Sequence, residues 1–423
     1  MSKKLENDCF ANSEVLLTHG EALDKLLGGV AALDDMQTVA LDDAVGRVLA
    51  RPVSAPRNIP AHTNSAMDGY GISFSDYDEQ AGTSLPVTGQ MAAGSELVGT
   101  CQPHGVIRIF TGAVLPEPCD SVIMQEDVVL VEIDGVSHVK LPAGLKKGSN
   151  VRRAGEDVKE GAIVLAAPRR LTPQDLAAIA STGATEIECY RPLKVAIFST
   201  GDEVIRPGTK FEHGKVYDAN AAMLRGLVAK TGAQCDDLGV LPDDFDAIRA
   251  SLSEAAKTHD VLLTSGGVSV GDLDHVLNVL KDLGSVHLWK IAIKPGRPMS
   301  FGQIDNCLML GLPGNPVAAF LCFLLYAQPV LATLSGQAWQ APVRYLLPAG
   351  FSMTKKPGRR EFLRGMLQKA SDGSQTVSKY ARDGSGLISS LTEADGFIEL
   401  GEDVTNVKPG DLVSFVPFSS FGL

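Results

Sequence analysis

The sequence predicts a multidomain protein of the α/β plus β class, built around a mostly parallel sheet, and three observations carry that prediction. The chain has 423 residues, about three times the commonest domain size, so two to four separate cores are expected. Between residues 193 and 334, short apolar runs alternate with amphipathic helical stretches, which is the pattern of βαβ units. On either side of that region the texture changes to short β runs broken by Gly and Pro. With hydrophobic residues at 44%, charged residues at 21%, and 43 Gly against 23 Pro, the composition fits a globular chain and excludes disorder and fibrous repeats.

The elements follow in order. Residues 1–17 show no clear period and read as a loose tail. Residues 21–30 and 41–49 carry apolar side chains at three- and four-residue spacings (Leu23, Leu26, Leu27, Val30; Leu41, Val45, Val48, Leu49), which predicts two helices. Residues 52–143 read as β-rich, with strands expected at 106–110, 121–124 and 128–133. Thr172-Pro173 is an N-cap followed by proline at the first helical position, so a helix returns there. The β-rich segment 54–152 is therefore expected as an insertion in a helical linker domain made of 18–53 and 153–188. The α/β domain spans 189–336. In it, strands at 193–198, 234–241, 261–263, 286–293 and 308–310 alternate with helices at 219–230, 245–257, 273–283 and 317–334. From 337 to 423, runs at 376–380, 396–400 and 412–417 predict a small C-terminal β domain of barrel type.

Several classes of function are excluded. The net charge of −12 and the absence of a long basic run remove the electrostatic footprint of a nucleic-acid binder. The longest apolar run, residues 317–327, is shorter than the roughly 20 residues a bilayer span needs, and no apolar leader follows Met1, so no membrane partner and a cytoplasmic location are expected. Seven cysteines lack any C-x-x-C pair and read as reduced thiols. An anionic substrate would have to be held locally, by backbone amides, a few cations or a metal.

In a doubly wound domain the stretches just past the strands carry ligands. Thr264-Ser265-Gly266-Gly267-Val268-Ser269-Val270-Gly271 leads into Asp272 and Asp274. It is an anion-binding turn ahead of a helix, or else a tight turn capped by Asp272. Ser199-Thr200-Gly201-Asp202-Glu203 lies on the same rim. Carboxylates there suit Mg²⁺, although Asp202 could equally cap a turn. Asp243 and Asp244 follow the strand ending at Leu241, where a capping pair is the simpler reading. Lys290 and Lys294, four apart, would share one side of an extended strand and suit oxyanion contacts. Leu312-Pro313-Gly314-Asn315-Pro316 fixes an unusual backbone before a long apolar helix. In the β-rich segment, Ser65-Ala66-Met67-Asp68-Gly69-Tyr70, Thr111-Gly112-Ala113 and Arg153-Ala154-Gly155-Glu156-Asp157 each also read as ordinary turns.

Taken in order, these stretches resemble the molybdopterin molybdenumtransferase family, the MoeA proteins, whose architecture also forms the E domain of gephyrin. The resemblance rests on Pro60 with Ser65–Tyr70, Thr111–Ala113, Arg153–Asp157, Ser199–Glu203, Ser265–Gly271, Lys294–Pro298 and Leu312–Pro316, and it covers the chain from about residue 17 to the end. It implies an α/β domain like molybdopterin adenylyltransferase. It also implies a homodimer whose active cleft lies between that domain and the partner's β-rich segment. The activity implied is insertion of molybdate into adenylylated molybdopterin with release of AMP, dependent on Mg²⁺ or Mn²⁺. Position by position, the functional residues would be Asp68, Thr111 and Asp157 on one side, and Glu203, Asp243, Asp274, Lys290, Lys294, Pro313 and Pro316 on the other. Glu203, Asp243 and Asp274 would hold the metal. Ser265, Gly266, Gly267, Ser269 and Gly271 would take the phosphates. The lysines would attract molybdate or neutralise developing charge. Transient contacts with the adenylyltransferase and with molybdoenzyme-maturation proteins are also implied. A non-catalytic gephyrin-like scaffold and a molybdopterin adenylyltransferase are the rival classes. The intact acidic and basic set disfavours the first, and the additional domains disfavour the second.

Overall fold

The computed structural model describes residues 16–78, 83–267, 275–296 and 298–423. In place of the expected helical linker, strands Met36–Ala40, Glu186–Tyr190, Val48–Leu49 and Arg169–Arg170 form a four-stranded antiparallel sheet in that order. Helix Pro173–Thr182 accompanies it. Thr172 and Asp175 form a reciprocal capping box at its start, and Gly183 ends it in the left-handed region, as Thr172-Pro173 led one to expect. The helix expected at 41–49 does not form. A 3₁₀ turn, Leu41–Asp43, and the strand Val48–Leu49 replace it. Gly46 adopts φ +75, which breaks the helical path, and Val45, counted on the apolar face, is 55% exposed.

The helix predicted at 21–30 is present as His19–Gly28, with a capping box between Thr18 and Glu21. It buries Ala22 and Leu26 in the core of the α/β domain, alongside Leu224 and Leu331. Leu17, assigned to the loose tail, bridges Ile291.

The β-rich segment folds into a seven-stranded sheet whose main path runs Val129–Ile133, Val136–Lys140, Ser84–Met91, Val106–Ile109, Gly69–Ile72, Ser121–Met124. Gly69 lies so close to its neighbour that a Cβ there would sit 1.8 Å from the Ile123 carbonyl oxygen. Glycine is thus obligatory beside Asp68.

The α/β domain holds a six-stranded sheet in the order Gln234–Leu241, Lys194–Thr200, Val261–Ser265, Cys307–Leu312, Pro298–Ile304, Ser285–Lys290. The first four strands are parallel and the last two pairings antiparallel. The strand expected at 286–293 ends at Lys290, and a strand the sequence did not reveal, Pro298–Ile304, follows it. The link from Lys290 to Pro298 is too short for a crossover, so the two strands meet antiparallel. Along Lys194–Thr200, Val195 and Ile197 pack on one side with Leu224 and Phe323, while Ala196 and Phe198 pack on the other with Leu252 and Leu280. A sheet buried on both faces needs such a continuous apolar strand.

Residues 316–334 form one helical run, Pro316–Cys322, Phe323–Ala327 in π geometry, and Gln328–Leu334. Pro329 cannot donate to the preceding turn, and the wider π turn ahead of it absorbs the defect. The run is 19 residues long and its most apolar 18-residue window has a mean hydropathy of 2.0, sufficient by length and composition to cross a membrane, yet 78% of that window is buried inside the protein. That burial accounts for its apolarity.

In the C-terminal region, Ile293–Lys294, Arg360–Lys369, Gly396–Leu400, Leu412–Pro417 and Tyr345–Pro348 follow one another in a sheet, with Gln375–Lys379 paired to Arg360–Lys369. A single bridge, Ala349 to Val377, links its outer strands. The segment leaving the α/β sheet at Lys290 therefore joins a second sheet by Ile293, which ties the two regions together.

Candidate active site

The parallel strands end on one rim. Ser265 is in register with Leu312, and Phe198 with Thr264, so the turns that follow emerge side by side. Between them lies a cavity of about 750 Å³ lined by Thr200, Gly201, Glu203, Asp243, Ser265, Gly266, Gly267 and Pro316. The close approach of the turns requires glycine. Gly267 has φ +64, and a Cβ there would come 2.8 Å from Thr200 Oγ1. Gly266, at φ +103, contributes shape and not the expected free donor, because its N–H is taken by the Leu312 carbonyl at 3.0 Å. Asn220 Nδ2 donates to the Gly314 carbonyl at 2.6 Å and fastens the third turn to helix Ala219–Lys230. Pro316 is the first residue of its helix, whereas Pro313 is buried. Ser269, Gly271 and Asp274 lie outside the described residues.

The acidic pair at 243–244 divides its labour. Asp244 caps helix Phe245–Ala256 by accepting from the Ala247 N–H at 2.9 Å. Asp243 lines the cavity with Glu203. The capping reading thus holds for Asp244, and Asp243 is left facing the site.

Asp68 and Thr111 meet in the β-rich region. Asp68 Oδ1 accepts from the Thr111 N–H and from its hydroxyl, both at 2.7 Å. The amide, then the hydroxyl, holds the carboxyl below its ordinary range. The segment carrying Asp157 is pinned to the chain ahead of Asp68 by the Gly155 N–H on the Pro60 carbonyl (3.0 Å) and the Asp157 N–H on the Ile59 carbonyl (3.1 Å). None of Asp68, Thr111 and Asp157 lines the sheet-domain cavity among the described residues.

The lysines do not share a strand face. Lys290 ends the strand Ser285–Lys290 and is exposed. Ile291 and Ala292 break the strand, and Lys294 enters the C-terminal sheet. There its Nζ lies 3.2 Å from Glu361 Oε2.

Three family models divide the chain. The MoeA N-terminal region (domains I and II) matches residues 17–183, a probable molybdopterin-binding domain matches 196–333, and the MoeA C-terminal region (domain IV) matches 347–418. The molybdopterin molybdenumtransferase of Haemophilus influenzae is 38% identical over 405 residues, covering 96% of this chain and 99% of that protein. The chain belongs to the molybdopterin molybdenumtransferase family. Its counterpart from Bacillus subtilis is 30% identical, covering 90% of this chain and 89% of the relative. The crystal structure of the molybdopterin biosynthesis MoeA protein from Pyrococcus horikoshii superposes with a TM-score of 0.81 at 30% identity, over 95% of this chain and 100% of that one.

Within this molybdenumtransferase fold a second cavity, of about 450 Å³, lies where the α/β domain meets the C-terminal sheet, and Lys294, Arg359, Glu361 and Arg364 line it. Arg364 is buried. It donates to Ser390 Oγ at 3.0 Å and to the carbonyls of Arg382 (3.0 Å) and Gly384 (3.3 Å), fixing the loop that carries Ser385. Sequence reading found Lys294 but missed Arg359 and Arg364. Strand Arg360–Lys369 mixes charged and apolar residues without clean alternation, although basic residues concentrated at 355–364 of an acidic chain were the available signal. Among the described residues no cluster of three or more His, Cys, Asp or Glu side chains forms a prebuilt metal centre.

Proposed function

We propose that the chain inserts molybdate into adenylylated molybdopterin and releases AMP, giving molybdenum cofactor. The observation that carries this reading is the sheet-domain cavity. It joins a glycine turn, shaped for phosphate by positive φ at Gly266 and Gly267, to two carboxylates, Glu203 and Asp243. Carboxylates facing a phosphate site repel it unless a divalent cation intervenes. An oxygen-only donor set favours Mg²⁺ or Mn²⁺ over zinc, so the residues fit the metal that the family implies. Glu203 and Asp243, with Asp274, would hold it, and when bound it would neutralise the pyrophosphate. Ser265 and Gly267 orient the phosphates, with Ser269 and Gly271 as further members. Pro313 and Pro316 fix the neighbouring turn.

Molybdate, a tetrahedral dianion, has its best match in the second cavity, where Lys294 and the Arg359 and Arg364 guanidiniums offset Glu361. Lys290 would add a further cation for attracting the dianion. Asp68, Thr111 and Asp157 complete the site from the partner subunit of a homodimer. The domain limits 18–53 with 153–188, 54–152, 189–336 and 337–423, a cytoplasmic location, and transient contacts with the adenylyltransferase and the maturation proteins belong to the same reading.

The test feeds purified protein two substrate pairs. Adenylylated molybdopterin with molybdate should yield AMP and active cofactor, and molybdopterin with ATP should yield nothing. Product from the second pair alone would make the chain an adenylyltransferase. Product from neither would leave it a scaffold.

A further inference from the structure

The sheet-domain cavity has an apolar lip that neither its glycines nor its carboxylates explain. Strands Val204–Ile205 and Val216–Tyr217 form a short parallel ribbon, Val204 opposite Val216. The ribbon springs from the Thr200–Glu203 turn. The Val204 N–H donates to the Gly201 carbonyl at 2.9 Å and the Val216 N–H to the Glu203 carbonyl at 2.8 Å. Val204, Val216 and Tyr217 all line the cavity. Val216 is 53% exposed and Tyr217 45%. Tyr217 is held in place: its hydroxyl donates to the Thr209 carbonyl at 2.9 Å, and its ring centroid lies 5.6 Å from that of Phe211. A rigid apolar surface left open to water beside a polar cavity marks a binding position.

We propose that this ribbon is the platform on which the flat heteroaromatic ring of the substrate lies, with the attached phosphate directed at the glycine turn. The inference rests on the reading of the cavity given above. It adds the ring-binding element, which that reading leaves unassigned. Adenine and pterin share the chemistry required: a planar ring joined to phosphate, able to pack on valine methyls and on a phenol. The ribbon branches within a residue of Glu203, so a ligand whose phosphate lies near Glu203 has its ring within reach of Val216.

Binding to the intact protein with Mg²⁺ present, followed by calorimetry, tests the assignment with AMP, ribose 5-phosphate and molybdopterin as probes. Val216→Ser and Tyr217→Ala should each weaken AMP or molybdopterin by roughly tenfold, while ribose 5-phosphate, which has no ring, changes less than about twofold. A loss confined to AMP assigns the adenine, and one confined to molybdopterin assigns the pterin. Tyr217→Phe keeps the ring, lacks only the bond to Thr209, and should bind as the parent does. A loss in Tyr217→Phe equal to that in Tyr217→Ala overturns stacking in favour of a structural role for the hydroxyl. Unchanged affinity for both ring ligands also overturns the proposal. If the parent protein binds neither ring ligand, the reading of the cavity fails, and that failure is visible before any variant is made.

Discussion

Thr111 gives Asp68 two hydrogen bonds, and the resulting depression of its carboxyl pKa keeps the group ionised at neutral pH. A depressed carboxyl is ionised above its ordinary range, and its contribution is lost only as pH falls through the lowered value, so nothing titrates there between about pH 6 and 8. Asp68→Ala should reduce cofactor formation ~100-fold or more, yet shift the thermal midpoint by no more than about 4 °C, because the side chain lies in a turn outside the apolar cores. Full activity in that variant would remove Asp68 from the site. Glu203 and Asp243, on the reading proposed above, would act differently, through a cation. EDTA should abolish AMP release, and Mg²⁺ or Mn²⁺ should restore it. Asp243→Asn should raise the Mg²⁺ concentration for half-maximal rate, while Asp244→Asn, which alters a helix cap, should leave it unchanged. An undiminished rate in EDTA would transfer the whole electrostatic burden to the lysines and arginines.

At the scale of elements, what was legible in the sequence is what local chemistry decides. Thr172-Pro173 announced its helix because the cap and the fixed proline φ act within one turn. Strands Ser121–Met124 and Gly396–Leu400 stood out because turn residues bracket them. The 41–49 stretch was misread because Val45 sits at helical spacing by coincidence while Gly46 turns the chain. The lysine pair was misread because two sheets compete for one short segment, a tertiary effect no window of sequence contains. Asp243 could be separated from Asp244 only once the helix start was fixed to the residue. Helix His19–Gly28 carries a prediction of its own. His19 is buried, its Nδ1 3.0 Å from Tyr326 Oη, and desolvation, reinforced by the Arg360 cation, lowers its pKa from 6.5 to about 4. The unfolded chain thus binds the proton that the native state refuses. Stability is full above about pH 6.5 and declines as pH falls toward 4, by up to about 3 kcal/mol. Urea midpoints measured across that range should fall steeply in the parent and less steeply in His19→Gln. Parallel curves would mean that carboxylates, and not His19, carry the acid sensitivity.

At the scale of the whole molecule, the proposed site residues fall into two sets carried by different domains. Glu203 and Asp243 line one cavity of the α/β domain, while Asp68 and Thr111 are bonded to each other on the β-rich sheet and are absent from that lining. A set divided in this way is completed within a homodimer when the second half comes from the other subunit, in an isologous arrangement that forms two equal sites. The division is testable by mixing. Asp68→Ala and Glu203→Ala proteins, each inactive alone, should regain activity once their subunits exchange. With random exchange about half of the dimers are mixed, and each mixed dimer has one intact site and one doubly damaged site. The mixture should therefore reach about a quarter of parental activity per subunit. Native mass spectrometry of the two variants, one carrying an affinity tag, verifies the exchange independently of activity. If mixed dimers form and the activity stays at the level of the two single variants, both halves of the site belong to one chain. The β-rich region would then have to swing onto its own α/β domain for each turnover, and rate would depend on the residues joining them, near 153 and 190, more than on the dimer.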